Sequence, residues 1–436
     1  MDQIVKELHM EDENTNESAY KQVTDKTSDA IMEEHSELPI FLELPQIGKK
    51  DDPKSLPTFY GIPKMHKVIP KLRFIAASCQ SPLKPLDITV TRCLDVIYKF
   101  MCRYCKGIYN YTGTNRMWIL DNSLQLKTKL MELNDTMTAH CISTWDFSTL
   151  YTTIPHVLLK EKMSSLVDFA FGKEKKTYIA ANKDRAFWTN KLVKRYKCVT
   201  AQVLKDYINY LIDNIYVTLG NTIHKQIIGI PMGISCAPLL ANLFLMTFEY
   251  EYMEKLEKKN IHSARNLNNT FRYIDDLINL NNDDFKSHLD EIYPKELEVK
   301  KENSVDDSSS YLDLYITILN NGFHTSLYDK RDSFNFNIVN YPYVNSSNIP
   351  TSPAYGVYSS RLLAIARACD SIQDFKIRHE SLCFKLFQQG FTYRKLCQQM
   401  KKTLKKHDNL FAKYEEKVEV PFPMLANSNR HVTLRS

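Results

Sequence analysis

The spacing of apolar positions changes several times along the chain, and each change marks an element. Apolar residues recur at helical intervals over residues 82–105 and again over 116–133, where Trp118, Leu120, Leu124, Leu126, Leu130 and Leu133 predict a second helix. The period then shortens. Cys141-Ile-Ser-Thr-Trp-Asp-Phe is apolar and β-branched, which predicts a strand delivering Asp146, then a turn and a helix from about residue 157. Residues 160–200 are rich in Lys and Arg without a clear period, and read as an insertion or a mobile basic segment. Helical spacing returns over 201–213. Residues 215–219 and 224–228 predict paired strands about Gly220-Asn221, a composition suited to a hairpin turn.

The next signal is a glycine-rich entry, Gly229-Ile-Pro-Met-Gly-Ile-Ser-Cys-Ala-Pro, into a long helix reaching about residue 258. Gly229 and Gly233 allow close approach to the backbone, and the helix N-terminus favours an anion. Two short apolar runs then flank an acidic pair in Phe271-Arg-Tyr-Ile-Asp-Asp-Leu-Ile-Asn-Leu280, predicting a hairpin with Asp275 and Asp276 at its turn. Residues 297–302 and 311–319 predict strands, with 322–326 as partner of the second. From 359 to 413 the chain is helical and basic, its cations interleaved with Phe375, Phe384, Phe387, Phe391 and Tyr393.

Carboxylates held together at one rim of a sheet repel unless a cation lies between them, and hard oxygen ligands suit Mg²⁺. The acidic pairs Asp51-Asp52, Asp283-Asp284 and Asp306-Asp307 lie in polar surroundings and read as solvated loops. Lys64, His66, Lys67, Lys71 and Arg73, set between Gly and Pro turn signals and a short strand, form a candidate phosphate grip.

Composition narrows the class. The 436 residues are 43% hydrophobic and 25% charged, enough for a large core. The formal charge of +6 hides an asymmetry: residues 1–52 carry 14 acidic against 5 basic side chains, which leaves about +15 on the remainder. A basic body suggests a polyanionic partner. Neither an N-terminal apolar run nor a membrane-length apolar stretch occurs, so an intracellular location, nucleus or cytoplasm, is expected. The ten cysteines are scattered, and Cys102-x-x-Cys105 lacks the second pair of a zinc site, so buried thiols are expected.

The motif order (basic hairpin, strand with Asp146 and Tyr151, Gly-rich turn into a helix, then Tyr273-Ile-Asp-Asp276) resembles a reverse transcriptase over residues 57–330, and more weakly beyond 359. Phe59-Tyr-Gly-Ile-Pro-Lys-Met-His-Lys67, Asp146-Phe-Ser-Thr-Leu-Tyr-Thr-Thr-Ile-Pro155 and Pro231-Met-Gly233 look most like Penelope-like retroelements, relatives of the telomerase catalytic subunit. The resemblance implies an α+β right-hand polymerase, with fingers, a palm built on an antiparallel sheet, and a helical thumb. Its expected divisions are an acidic helical extension (1–56), fingers and palm (57–330), a basic thumb-like region (331–415) and a tail (416–436).

It further implies an RNA-directed DNA polymerase of retrotransposon type that takes an RNA template, a DNA primer and dNTPs. Asp146 and Asp275 would be the principal ligands of two Mg²⁺ ions, or Mn²⁺, with Asp276 in support. Lys67, Lys71 and Arg73 resemble the residues that neutralise the triphosphate, and Tyr151 the steric gate against a ribose 2′-hydroxyl. Met232 stands where many reverse transcriptases have Gln, and Gly233 would let template and nucleotide approach. Lys300 or Lys301 falls at the family's proton-donating lysine, and Tyr311 to Tyr315 resembles the primer grip. Only a short tail follows Lys413, so the GIY-YIG nuclease common in Penelope-like elements is expected to be lacking. The competing expectation is a non-catalytic nucleic-acid-binding protein that retains the fold.

Overall fold

The computed structural model describes residues 19–37, 55–64, 71–334, 336, 338, 341–345 and 347–414. These fall into two compact units, one containing residues 1–121 and 141–304, the other 122–140 and 305–436.

Among the described residues the first unit holds three sheets. Strand β1 (Tyr20–Val23) is followed by a helix, Ser28–Glu37; then β2 (Thr58–Lys64) and β3 (Lys71–Ala77) pair antiparallel, placing Arg73 opposite Ile62. The basic hairpin is thus present, whereas Lys67 lies outside the described residues. Residues 20–23, expected in an acidic helical segment, instead pair antiparallel with residues 223–226 and complete a sheet. A long helix, Lys84–Thr112, starts with Pro in its first turn and ends at Gly113 in the left-handed conformation. Helical spacing at 116–121 proves misleading: Leu120 N–H donates to the Arg272 carbonyl and Arg272 N–H to the Trp118 carbonyl, in strand-like fashion.

Strand β4 (Ile142–Phe147) leads through a single helical turn, Leu150–Thr153, into the helix His156–Glu174. The basic stretch beyond it, expected as an insertion or a mobile segment, folds into a small sheet. Strands β5 (Tyr178–Ala181), β6 (Ala186–Thr189) and β7 (Lys197–Val199) form an antiparallel sheet in the order β6-β5-β7. One face of it, with Ile179, Ala181, Trp188 and Val199, packs on the core; runs this short carry no readable period.

After the helix Ala201–Asp213, β8 (Tyr216–Leu219) and β9 (Thr222–Gln226) make the expected hairpin and join the first sheet in the order β1-β9-β8-β2-β3. The helix Ala237–Lys259 follows, then β10 (Thr270–Tyr273), β11 (Asp276–Leu280) and, past the helix Phe285–Ile292, β12 (Val299–Lys301). These assemble with β4 into a fully antiparallel sheet, β10-β11-β4-β12, whose Leu277 and Trp145 share one core with the buried Leu240 and Phe244.

The second unit has its own core. Strands β13 (Ser308–Tyr311), β14 (Leu314–Leu319) and β15 (Gly322–Leu327) form a meander, and the predicted single strand over 311–319 breaks at Leu312, whose φ of 56° turns the chain between Tyr311 and Leu314. Helices Thr351–Ala368, Ile372–Phe387 and Tyr393–Lys406 bury Tyr358, Phe375, Leu386 and Leu396 among themselves. The last is amphipathic: Leu396, Met400 and Thr403 face inward while Arg394, Lys395, Lys401, Lys402, Lys405 and Lys406 are exposed. Its neighbour's cations are committed elsewhere, since Arg378 and Lys385 both bind Asp332.

Candidate active site

The acidic hairpin forms with its turn one residue earlier than expected. Tyr273 pairs with Asp276, so Ile274 and Asp275 make the turn and Asp276 opens β11. Ile274 is β-branched yet holds φ at 56°, a conformation that costs such a residue roughly 1–2 kcal/mol. A buried side chain opposes that cost: Arg272, fully buried, donates from Nη1 to the Ile274 carbonyl at 2.9 Å. The same guanidinium binds the Asn242 side chain (2.8 Å), the Asn242 carbonyl (3.0 Å) and the buried Glu249, which also accepts from the Tyr293 hydroxyl at 2.7 Å. The turn is thereby fastened to the helix Ala237–Lys259.

Asp276 lies directly opposite Asp146 in the β11–β4 pairing, and Lys300 lies opposite Asp146 on its other side. Directly opposed residues share a face, so Asp146, Asp276 and Lys300 stand on one side of the sheet. Lys301 pairs with Trp145, on the side that carries the core. Of the two candidate lysines, Lys300 therefore shares the carboxylates' face; its Nζ is 2.7 Å from Glu298, which pulls the Glu298 carboxyl below its ordinary range. Asp275 is bound through its backbone, its carbonyl accepting from Phe147 N–H at 3.2 Å. All three aspartates are half-buried.

Tyr151, on the single helical turn after β4, lies beside this acidic group. Its hydroxyl is pushed well above the usual phenol range, mainly by burial and next by the Asp275 charge, with the Arg73 cation opposing. Tyr151, Asp275 and Arg73 are therefore electrostatic neighbours, although they come from three separate stretches of sequence.

The glycine loop closes the arrangement. Gly229, at φ 89°, leaves only 2.3 Å between a hypothetical Cβ and the Tyr151 carbonyl, and Ile230 N–H donates to that same oxygen at 2.7 Å. Gly233, at φ 132°, would bring a Cβ within 2.0 Å of the Ala76 carbonyl. The close approach at Gly233 is thus already taken by the chain's own β3. Ala76 N–H donates to the Met232 carbonyl at 2.8 Å, and Ser78 Oγ to the Gly233 carbonyl at 2.6 Å.

The anion at the start of the following helix is also internal. Asp87, 1% exposed, accepts from Ser235 N–H (2.8 Å) and Cys236 N–H (2.9 Å) and binds Lys84 at 3.0 Å. Those donors, read from the sequence as favouring a bound anion, are satisfied by this carboxylate. Asp87 and Arg272 carried a readable signal: each interrupts a run of otherwise apolar, core-facing positions, where a charge persists only if partnered. Cys102 and Cys105 lie along one helix as free thiols, with Cys105 pushed up to about 12 by burial.

Solved structures share the overall fold. Telomerase from Candida albicans in complex with a fragment of telomeric RNA superposes with a TM-score of 0.54 at 10% identity, over 85% of this chain and 62% of that one. This chain is a right-hand polymerase in fold. Lower-scoring likenesses are apo telomerase from Candida Tropicalis (TM-score 0.44, 11% identity, 86% of this chain and 62% of that one) and the BmCPV RNA-dependent RNA polymerase (0.40, 12%, 71% and 25%). The chain thus spans less than two thirds of the length of each. No protein-family model matches the sequence, and no curated protein matches it either.

Among the described residues, no three His, Cys, Asp or Glu side chains are gathered closely enough to hold an ion unaided. Asp146, Asp275 and Asp276, expected as ligands together, are therefore not drawn into one three-carboxylate group. The half-buried aspartates on adjoining strands are oxygen donors of the right kind. No helix among the described residues is long and apolar enough to cross a membrane.

Proposed function

We propose that the chain is an RNA-directed DNA polymerase, a reverse transcriptase of retroelement origin on the Penelope-like branch, which extends a primer 3′-hydroxyl with dNTPs on an RNA template. The observation that carries this reading is the cross-strand pairing of Asp146 with Asp276 on one face of an antiparallel sheet, with Tyr151 near enough to feel the Asp275 charge. Asp146, Asp275 and Asp276 would hold Mg²⁺, or Mn²⁺. When bound, the metal would supply charge to activate the primer hydroxyl and to stabilise the leaving pyrophosphate.

The protein's own groups account for the rest. The Tyr151 ring fills the space a ribose 2′-hydroxyl would need, selecting deoxynucleotides. Arg73, beside Tyr151, neutralises the incoming triphosphate together with Lys71 and Lys67. The primer hydroxyl releases its proton to water as its oxygen bonds to the α-phosphorus, and as the bond from that phosphorus to the bridging oxygen of the β-phosphate breaks, Lys300 gives a proton to the departing pyrophosphate. Met232 and Gly233 form the loop behind the nucleotide, held by β3.

Primer extension on a primed RNA template with dNTPs and Mg²⁺ tests the proposal. Template-dependent products are expected, and they should fail with Asp146→Asn. Tight binding of primed template without extension under any template, primer or divalent cation would instead identify a binding protein that retains the fold.

A further inference from the structure

The small sheet β6-β5-β7 has an outer face that the polymerase reading does not use. Its surroundings are strongly one-signed: residues 173–197 contain nine basic and two acidic side chains. One of the two acids, Glu174, is within 3.5 Å of Arg103. A surface that is merely solvated mixes its charges, whereas a net +7 over 25 residues repels itself until something neutralises it.

Topology spreads these cations along one strip. The β5–β6 turn carries Lys183 and Arg185 at one end of the sheet, while Lys175 precedes β5 at the other. Between them residues 190–196 must travel back from the end of β6 to the start of β7, carrying Lys191, Lys194 and Arg195. That crossing is pinned over the outer face, since Tyr196 packs edge-on to Phe187 at 5.2 Å and its hydroxyl accepts from Arg185 Nε at 2.6 Å. Lys175, Lys183, Lys191, Lys194 and Arg195 are exposed, and among the described residues none has a carboxylate partner. Phe187 is 37% exposed in the midst of them.

We infer that this strip is a second nucleic-acid-binding surface, separate from the acidic centre, and that it holds a single-stranded segment of the template. Fixed cations bind phosphates in any strand; a ring exposed among them can stack only on an unpaired base, which favours a single strand over duplex. The identification of that strand as template rests on the polymerase reading, but the surface itself does not. The sheet's inner face, anchored through Trp188 and Ile179 in the main core, makes it a rigid platform.

The test compares binding of a primed RNA template bearing a long 5′ single-stranded overhang with the same duplex cut blunt, each titrated against salt. In the variant Lys183→Gln/Lys191→Gln/Lys194→Gln/Arg195→Asn, Arg185 is kept for its bond to Tyr196, and Asn tolerates the left-handed φ of 67° at residue 195. Affinity for the overhang substrate should fall at least tenfold, with the salt slope reduced by about 0.7 for each phosphate no longer neutralised, and binding of the blunt duplex should not change. Phe187→Ser alone should weaken overhang binding by about tenfold with the salt slope intact, and Lys194→Glu alone supplies a single-site check should the fourfold variant fold poorly. An unchanged slope on the overhang substrate, or equal weakening on both substrates, overturns the inference. If the wild type never extends a primer yet the fourfold variant still loses overhang binding selectively, the polymerase reading fails and this surface stands.

Discussion

Asp276 is the direct cross-strand partner of Asp146, with Asp275 one residue away at a turn whose backbone is fastened by the buried Arg272. Two carboxylates on one face of adjacent strands repel at neutral pH, which disfavours the free site and favours any cation that enters it. Asp275→Asn keeps the shape and removes one charge. Primer extension should fall by two to four orders of magnitude, corresponding to a loss of roughly several kcal/mol, while affinity for primed template measured by titration stays constant or rises slightly.

Tyr151 offers a separate handle on sugar choice. Tyr151→Ala should raise ribonucleotide incorporation relative to dNTP, with dNTP extension still measurable. Tyr151→Phe keeps the ring and should keep the discrimination. Equal rNTP use by the wild type and the Ala variant would remove the gate role.

Gly233→Ala forces a Cβ into the Ala76 carbonyl at a φ that side chains rarely adopt. A destabilisation of roughly 1–3 kcal/mol is expected in urea unfolding, accompanied by a raised KM for dNTP as the loop is pushed from β3.

Arg272→Met leaves Glu249 buried without its partner and should cost roughly 3–5 kcal/mol in denaturant unfolding. Pairing it with Glu249→Leu should recover much of that stability. Recovery of extension should lag behind, because no side chain then holds the Ile274 carbonyl.

How much of this was legible depended on whether the determining interaction is local. Strand β4, the glycine loop and the acidic hairpin showed themselves through short patterns that need no distant partner. The Asp87 cap on a helix about 150 positions downstream, and the Arg272–Glu249 pair, join residues far apart in sequence; only their charge within an apolar run hinted at them. The basic sheet was illegible because Tyr178–Ala181 is too short to show alternation, and its two neighbours are equally brief. The shift of the turn to Ile274-Asp275 went unseen because β-branched residues argue for strand, not for a left-handed turn.

His379 gives a pH signature of the second unit. It is 2% exposed, hydrogen-bonded to the Tyr358 hydroxyl at 2.8 Å, and burial lowers its pKa to about 4. Between that value and about 6.5 the unfolded chain takes up a proton that the folded chain refuses, so stability falls as pH drops through this window. The loss attributable to this residue should approach about 3 kcal/mol near pH 4. His379→Gln, compared with wild type in urea unfolding across that range, should flatten the dependence.

The hydrogen bond from Ala76 N–H to the Met232 carbonyl joins the basic hairpin to the glycine loop. Arg73 lies three residues up the same strand, where a triphosphate would arrive, and Gly233 sits flush against the strand's far end. From β3 the hydrogen bonds run through Met232 to the glycine loop and, through Ile230, to the Tyr151 carbonyl. The hairpin, the loop and the tyrosine are thus bonded into one continuous piece of backbone, so a substitution that loosens any one of the three bears on the other two.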